Sequence, residues 1–282
     1  MPVLYMIVAT IFWSGSFLLT KLALQHMSVT DFIFLRFAVA ALLLLPGLVW
    51  YGIPLKQRTV IQGIRLGLLQ VGMMFLQTLG LATISPTLSA FLSGFFIVFV
   101  LLIRFIVQGV FPSMIDLFSS LLCLAGLALL TRSYGLGWEL GVLYTLGAAF
   151  FVALHTYVLD EYASAGNPTL LTFMQMLTLA AFAGVVSLLA GNSIQLPTQL
   201  VSWGAILFCG IFCSSVAFWL QARAQQHLGA FQIAMLLMLE PVFATMLTCG
   251  VLGEQLSTQA YIGMAMIIGA ITIINIRLKE IS

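Results

Sequence analysis

Ten stretches of about twenty mostly apolar residues follow one another along this chain, near residues 3–24, 31–51, 60–82, 86–108, 112–131, 138–160, 168–190, 202–224, 229–252 and 257–277. Only short, turn-like segments separate them: Gly52-Ile53-Pro54, Ser85-Pro86, Phe111-Pro112, Gly166-Asn167-Pro168 and Leu196-Pro197. About twenty residues at 1.5 Å each span the ~30 Å hydrocarbon core of a bilayer as a helix. With 62% hydrophobic and 6% charged residues, the chain leaves no room for a soluble domain. The expected class is an all-α polytopic membrane protein with ten transmembrane helices. The first run lacks a basic leader and keeps Trp13 and Lys21, so it reads as a retained span.

Ten spans put both termini and the even-numbered loops on one side. Lys56, Arg58, Arg65, Arg104, Arg223, Arg277 and Lys279 fall at or near that side, against Lys21, Arg36 and Arg132 at the other. The excess of basic residues places both termini in the cytoplasm and the chain in the cell (inner) membrane. There is no basic patch for nucleic acid. Cys123, Cys209, Cys213 and Cys249 all sit in apolar runs without metal or redox spacing, so neither metal nor cofactor is expected.

The two halves echo one another. A shift of 144 lays Gln77 on Gln221, Ala90 on Ala234, and Val98-Phe99 on Val242-Phe243. A shift of 138 lays Phe12-Trp13 on Phe150-Phe151 and Phe17 on His155, and one more residue lays Arg36 on Gln175. Five spans per half force the halves into opposite orientations, the inverted-repeat plan with binding near the midplane. The halves are residues 1–134 and 135–282.

Leu239-Glu240-Pro241-Val242-Phe243, the Gly253-Glu254 turn and the Gly-rich run Ile262–Ala270 resemble the end of the second repeat of EamA-type carriers of the drug/metabolite transporter superfamily. Phe12-Trp13-Ser14-Gly15-Ser16-Phe17 and Leu35-Arg36-Phe37 fit the first half. The first repeat departs from the pattern, with Ile97-Val98-Phe99 and Gln108-Gly109 where a Pro-Val-Phe and a Gly-Glu turn are expected. The resemblance implies two inverted five-helix repeats around a central cavity, and export or exchange of small metabolites by alternating access.

Glu240 is the costliest residue in these spans, because a carboxylate in hydrocarbon must face protein or water. Pro241 beside it removes a helix hydrogen bond. Helical periodicity gathers Trp13, Gln70, Ser93, Phe96 and Ser214 at similar depth to Glu240, with Gln221 and His155 nearer the cytoplasm and Gln77 nearer the outside. Trp13, Gln70, Gln77, Ser93, Phe96, Ser214, Trp219 and Gln221 are the candidate substrate contacts, and Glu240 and His155 the candidate proton-coupling pair. The plainer readings are interhelical glue for the amides and hydroxyls, packing for the tryptophans and His155, and a structural acid for Glu240. Arg36 and Lys21 are expected to snorkel from the span ends, and Glu254 to cap or pair.

The expected activity is secondary transport of a small organic solute, an amino acid or related amine or zwitterion, as an exporter or proton-coupled antiporter. Its partners are that solute, protons and membrane lipid, and the protein is a monomer or weak homodimer. The alternatives are a flippase for a lipid-linked intermediate and a passive channel. An intramembrane enzyme lacks support: there is no HExxH and no Ser/His dyad at matching depth.

Overall fold

A computed structural model describes residues 1–109, 111–130, 140–191, 193–252 and 257–281, without the side chains of residues 87, 248–252 and 278–281. Every described regular element is helical. α1 (Pro2–Ala23), α2 (Val29–Trp50) and α3 (Gln57–Thr83) are continuous. α4 (Pro86–Ser93) and α5 (Phe96–Gln108) form one interrupted span, followed by α6 (Met114–Leu130), α7 (Leu140–Ala163) and α8 (Pro168–Leu189). α9 (Leu200–Phe208), a π-helical turn (Cys209–Val216) and α10 (Ala217–Ala224) make the next span. A second interrupted span, α11 (Ala230–Leu237) and α12 (Glu240–Leu252), precedes α13 (Thr258–Ile281). These ten apolar segments coincide with the ten runs in the sequence, and α6 is the short one at 17 residues. The boundary expected at residue 134 and the turn bearing Glu254 lie outside the described residues.

Local chemistry sets the helix starts. Ser28 accepts from Asp31 N at 3.1 Å, Ser85 from Leu88 N at 3.2 Å, and Asn167 from Thr169 N at 3.0 Å and Leu170 N at 3.2 Å. Pro86 and Pro168 occupy first-turn positions, where the missing N–H has no helical partner to lose.

The two interrupted spans share one design. α4 and α11, and α5 and α12, have bounds offset by the same 144 residues at both ends. At the first break Phe95 N turns to Leu92 O at 3.1 Å and Ile97 N to Gly94 O at 3.4 Å. At the second, Met238 N turns to Met235 O at 3.2 Å and Leu239 N to Leu236 O at 3.1 Å. Both are tightened 3₁₀-type turns that end one half-helix and start another. Pro241 explains the second break, since it cannot donate to the carbonyl four residues earlier. Gly94 serves the first: a side chain there would collide with Leu127 of α6.

Glycines also set the closest crossings. Gly63 and Gly67 let α3 lie against α8, where an added Cβ would come within 2.5 Å of Met174 Cβ and 2.6 Å of Thr178 Cβ. α6 and α13 meet at Gly126 and Gly263, and a Cβ on Gly126 would fall 2.6 Å from Gly263 O. With lipid outside as apolar as the core, such close packing is a main source of helix association. Gly126→Leu should therefore force α6 from α13 and cost about 2 kcal/mol, read as a lower unfolding temperature in detergent. An unchanged melting curve would mean that this crossing carries no stability.

Candidate functional site

A central cavity of about 80 Å³ opens among α1, α2, α3, the two breaks, α7 and α10. Seven of the residues expected to meet in one cavity line it: Trp13, Gln77, Ser93, Phe96, His155, Gln221 and Glu240. The inward faces of helices from both halves place them there. Phe96 and Glu240 hold corresponding positions, each opening the half-helix after its break.

Glu240 is half-buried, and its carboxylate makes no hydrogen bond or ion pair among the described residues. As the first residue of α12 it faces the positive end of the helix dipole, which favours a carboxylate. Gln77 Nε2 donates to Ser93 Oγ at 3.3 Å across the wall from α3 to α4. Trp13 meets Phe218 edge-on at 5.1 Å, and His155 meets the same ring edge-on at 6.0 Å, so Phe218 forms an aromatic floor between them.

Trp13 has a second task. Its Nε1 donates to Cys213 O at 2.7 Å, inside the π-helical turn. That turn shifts backbone pairing by one residue, and the indole satisfies one of its carbonyls within the membrane. Trp13→Phe should leave that carbonyl unpaired and cost about 1–2 kcal/mol, measured as a lower melting temperature. A variant as stable as the parent would show that the bond carries no weight.

The other three candidates lie elsewhere. Ser214 is buried behind the wall, where its Oγ accepts from Arg36 Nε at 2.9 Å. Trp219 donates through Nε1 to Thr169 Oγ1 at 3.1 Å and lies beneath the Arg223 guanidinium at 5.6 Å, which ties α10 to the start of α8. Gln70 is 0% exposed, and neither amide atom has a partner.

Arg36 departs most from its sequence reading. It does not snorkel: it is 5% exposed and lines the cavity. Nε is held by Ser214, and the guanidinium lies 5.1 Å from the centroid of the Phe37 ring. Its terminal nitrogens have no hydrogen-bond partner among the described residues. The cavity thus carries one unpaired cation and one unpaired acid between aromatic walls. Seven residues into α2, Arg36 stands roughly 10 Å inside the span, and that depth was the signal for its role.

Lys21, by contrast, is spoken for. Its Nζ donates to Leu81 O at 2.6 Å, Ala82 O at 3.2 Å and Ile84 O at 3.1 Å, where a cation suits the C-terminus of α3. At the chain-terminus end, Arg277 pairs with Asp116 at 3.0 Å and joins α13 to α6. Among the described residues no three metal-ligating side chains converge.

Comparison with known proteins agrees with this architecture. A solved crystal structure superposes with a TM-score of 0.81 over 100% of this chain and 98% of its own, at 17% identity, a likeness of fold alone. An uncharacterized transporter of Archaeoglobus fulgidus is 27% identical over 266 residues, covering 94% of this chain and 82% of its own length. The EamA-like transporter family matches twice, over residues 1–132 and 139–276. By that match, which takes in nearly every span, the chain is a multi-pass membrane protein that belongs to the EamA-like transporter family.

Proposed function

We propose that this transporter carries small zwitterions, of which amino acids are the simplest, and exchanges them for protons across the cell membrane by alternating access. The observation that carries this reading is the pair of unsatisfied charges on one cavity, Arg36 and Glu240. A buried charge without a partner is costly. A solute bearing a carboxylate and an ammonium relieves both charges at once, with the carboxylate on the Arg36 fork and the ammonium on Glu240. The aromatic wall of Trp13, Phe96 and Phe218 supplies the apolar contact for the rest of the solute.

Without solute, Glu240 takes a proton instead, which removes the uncompensated charge. Proton and ammonium then compete for one carboxylate, and competition for one group is the basis of antiport. The basic residues at the chain-terminus side support cytoplasmic termini, and exchange against protons that enter down their gradient would drive the solute outward, as an exporter. A phosphate-headed lipid intermediate fits less well, because Arg36 is the one arginine or lysine among the described residues on this cavity wall.

The test is counterflow in proteoliposomes. Labelled neutral amino acids should accumulate against an excess of unlabelled solute and saturate, and the N-acetyl and methyl-ester forms should not compete. Conductance without saturation would mean a channel. Competition by either blocked form at the parental affinity would overturn the two-point zwitterion reading.

A further inference from the structure

His155 is 1% exposed, and its Nε2 lies 2.8 Å from Gln175 Oε1 on α8. The Gln175 amide is itself oriented: its Nε2 donates to Leu171 O at 3.1 Å, and a backbone carbonyl can only accept. Oε1 therefore faces the imidazole, Nε2 of the ring carries the hydrogen, and Nδ1 keeps its lone pair as an acceptor. Gln175 does not line the cavity, yet it decides which nitrogen of a cavity histidine can take a proton.

Three other residues join this pair through the internal repeat. Arg36 corresponds to Gln175 and Gln70 to Ser214, at the offsets of 139 and 144 residues that relate the halves. In the structure Arg36 is bonded to Ser214 at 2.9 Å. The corresponding bond, Gln175 to Gln70, is not made: Gln175 is held by His155, and Gln70 is fully buried with both amide atoms unpartnered. The two helices that carry them are already packed against one another. Gly63 and Gly67 of α3 press against Met174 and Thr178, which flank Gln175, and Gln70 follows Gly67 on the same face. An amide left empty at that depth is expensive in every state that lacks its partner.

We infer that Gln175 is a positioning residue with two alternative partners, His155 in the present conformation and Gln70 in the conformation that opens the cavity to the other side. In inverted-repeat carriers each half adopts in one state the arrangement that its mate adopts in the other. The bond seen at one contact between the halves, Arg36 to Ser214, thus forecasts the bond missing at the repeat-related contact, Gln175 to Gln70. On the switch Gln175 releases His155, and the imidazole becomes free to change tautomer. The exchange rests on alternating access as proposed above, whereas the tautomer assignment does not.

The experiment has two arms, and neither requires a substrate. With His26→Gln and His227→Gln, His155 is the one histidine left, and its ring ¹⁵N shifts report the tautomer. The parent should be Nε2-protonated, and Gln175→Met should give a mixture. For the second arm, a cysteine at Leu81 or at Gln221, toward opposite ends of the cavity, is introduced into a background stripped of the native thiols. Its labelling by maleimide reports which end is open. Gln70→Leu removes both the bond of the alternative state and the empty amide of this one, so the ratio of the two labelling rates should shift about tenfold. Gln70→Met should shift it in the same direction. An Nδ1-protonated parent, a Gln175→Met variant with the parental tautomer, or an unchanged labelling ratio would each overturn the inference. Counterflow can fail while both arms succeed, in which case the zwitterion reading falls and this one stands.

Discussion

Glu240→Gln is expected to abolish the proposed proton-driven transport, with a loss of at least about 100-fold in uphill rate, while expression and melting temperature stay at or above the parental level. Glutamine has the shape of the protonated acid but can neither release a proton nor pair with an ammonium. A loss of about 100-fold corresponds to roughly 2.7 kcal/mol, within the range for removing one charged partner. Stability should not suffer, because Glu240 has no hydrogen bond or ion pair to lose among the described residues. Transport should also lose its pH dependence over the range in which the parent's activity varies. Glu240→Asp keeps the charge but withdraws it by one methylene, so it should retain coupling at reduced rate. A Glu240→Gln variant that transports at the parental rate with the parental pH profile would remove Glu240 from the mechanism. A variant that fails to fold would show that the acid is structural.

Much of this architecture is written in hydropathy, because the bilayer makes length and apolarity the dominant constraints. The ten runs and the helices differ by a few residues at their ends, where Ser28, Ser85 and Asn167 cap. Breaks inside runs were harder to see. Pro241 marked a weak point, yet the chain departs from the helix at Met238 and Leu239, just before it, because Pro241 has no N–H for the carbonyl of Leu237 and the chain tightens ahead of it. The matching break at Gly94 and Phe95 has no proline, and it becomes visible only when the offset of 144 residues is applied to the helix bounds. The π-helical turn leaves no pattern in side-chain polarity, because it depends on backbone pairing and on the Trp13 bond from another helix.

The site was legible as a set of polar depths and less so as directions. Periodicity gathered Gln77, Ser93, Phe96, Gln221 and Glu240 as inward-facing, and all five line the cavity, since each stands on the inward face of its helix. It also gathered Gln70 and Ser214, which share those faces but point between helices. A repeat of 3.6 residues fixes a bearing to within a residue or so, and one residue is the difference between a cavity wall and a helix interface. Arg36 was misjudged for another reason. A long side chain near a span end suggests an escape to water, but Ser214 on the adjacent helix offers Nε a partner within the protein. Where a buried hydroxyl is in reach, burial can win over snorkelling.

Arg36→Met should therefore change what the transporter recognises more than whether it folds. Methionine fills much of the aliphatic volume and leaves the Ser214 hydroxyl without a charged partner, a small loss in a helix interface. The carboxylate of the proposed zwitterion, however, would face a desolvated cavity with no cation to meet it. Charged hydrogen bonds contribute about 1.5–3 kcal/mol each, so KM for a neutral amino acid should rise about 100-fold. For the corresponding amine, which lacks the carboxylate, it should move less than about threefold. This split between two solutes is the informative quantity. A general defect in folding or in conformational switching would penalise both equally, and loss of the aromatic wall would penalise both through their side chains. Arg36→Lys keeps the charge and loses the planar fork, so it should fall between the two with the larger penalty again on the amino acid. Equal losses for amino acid and amine would place Arg36 in the scaffold with Ser214 and leave Glu240 as the lone charged contact among the described residues of the cavity wall.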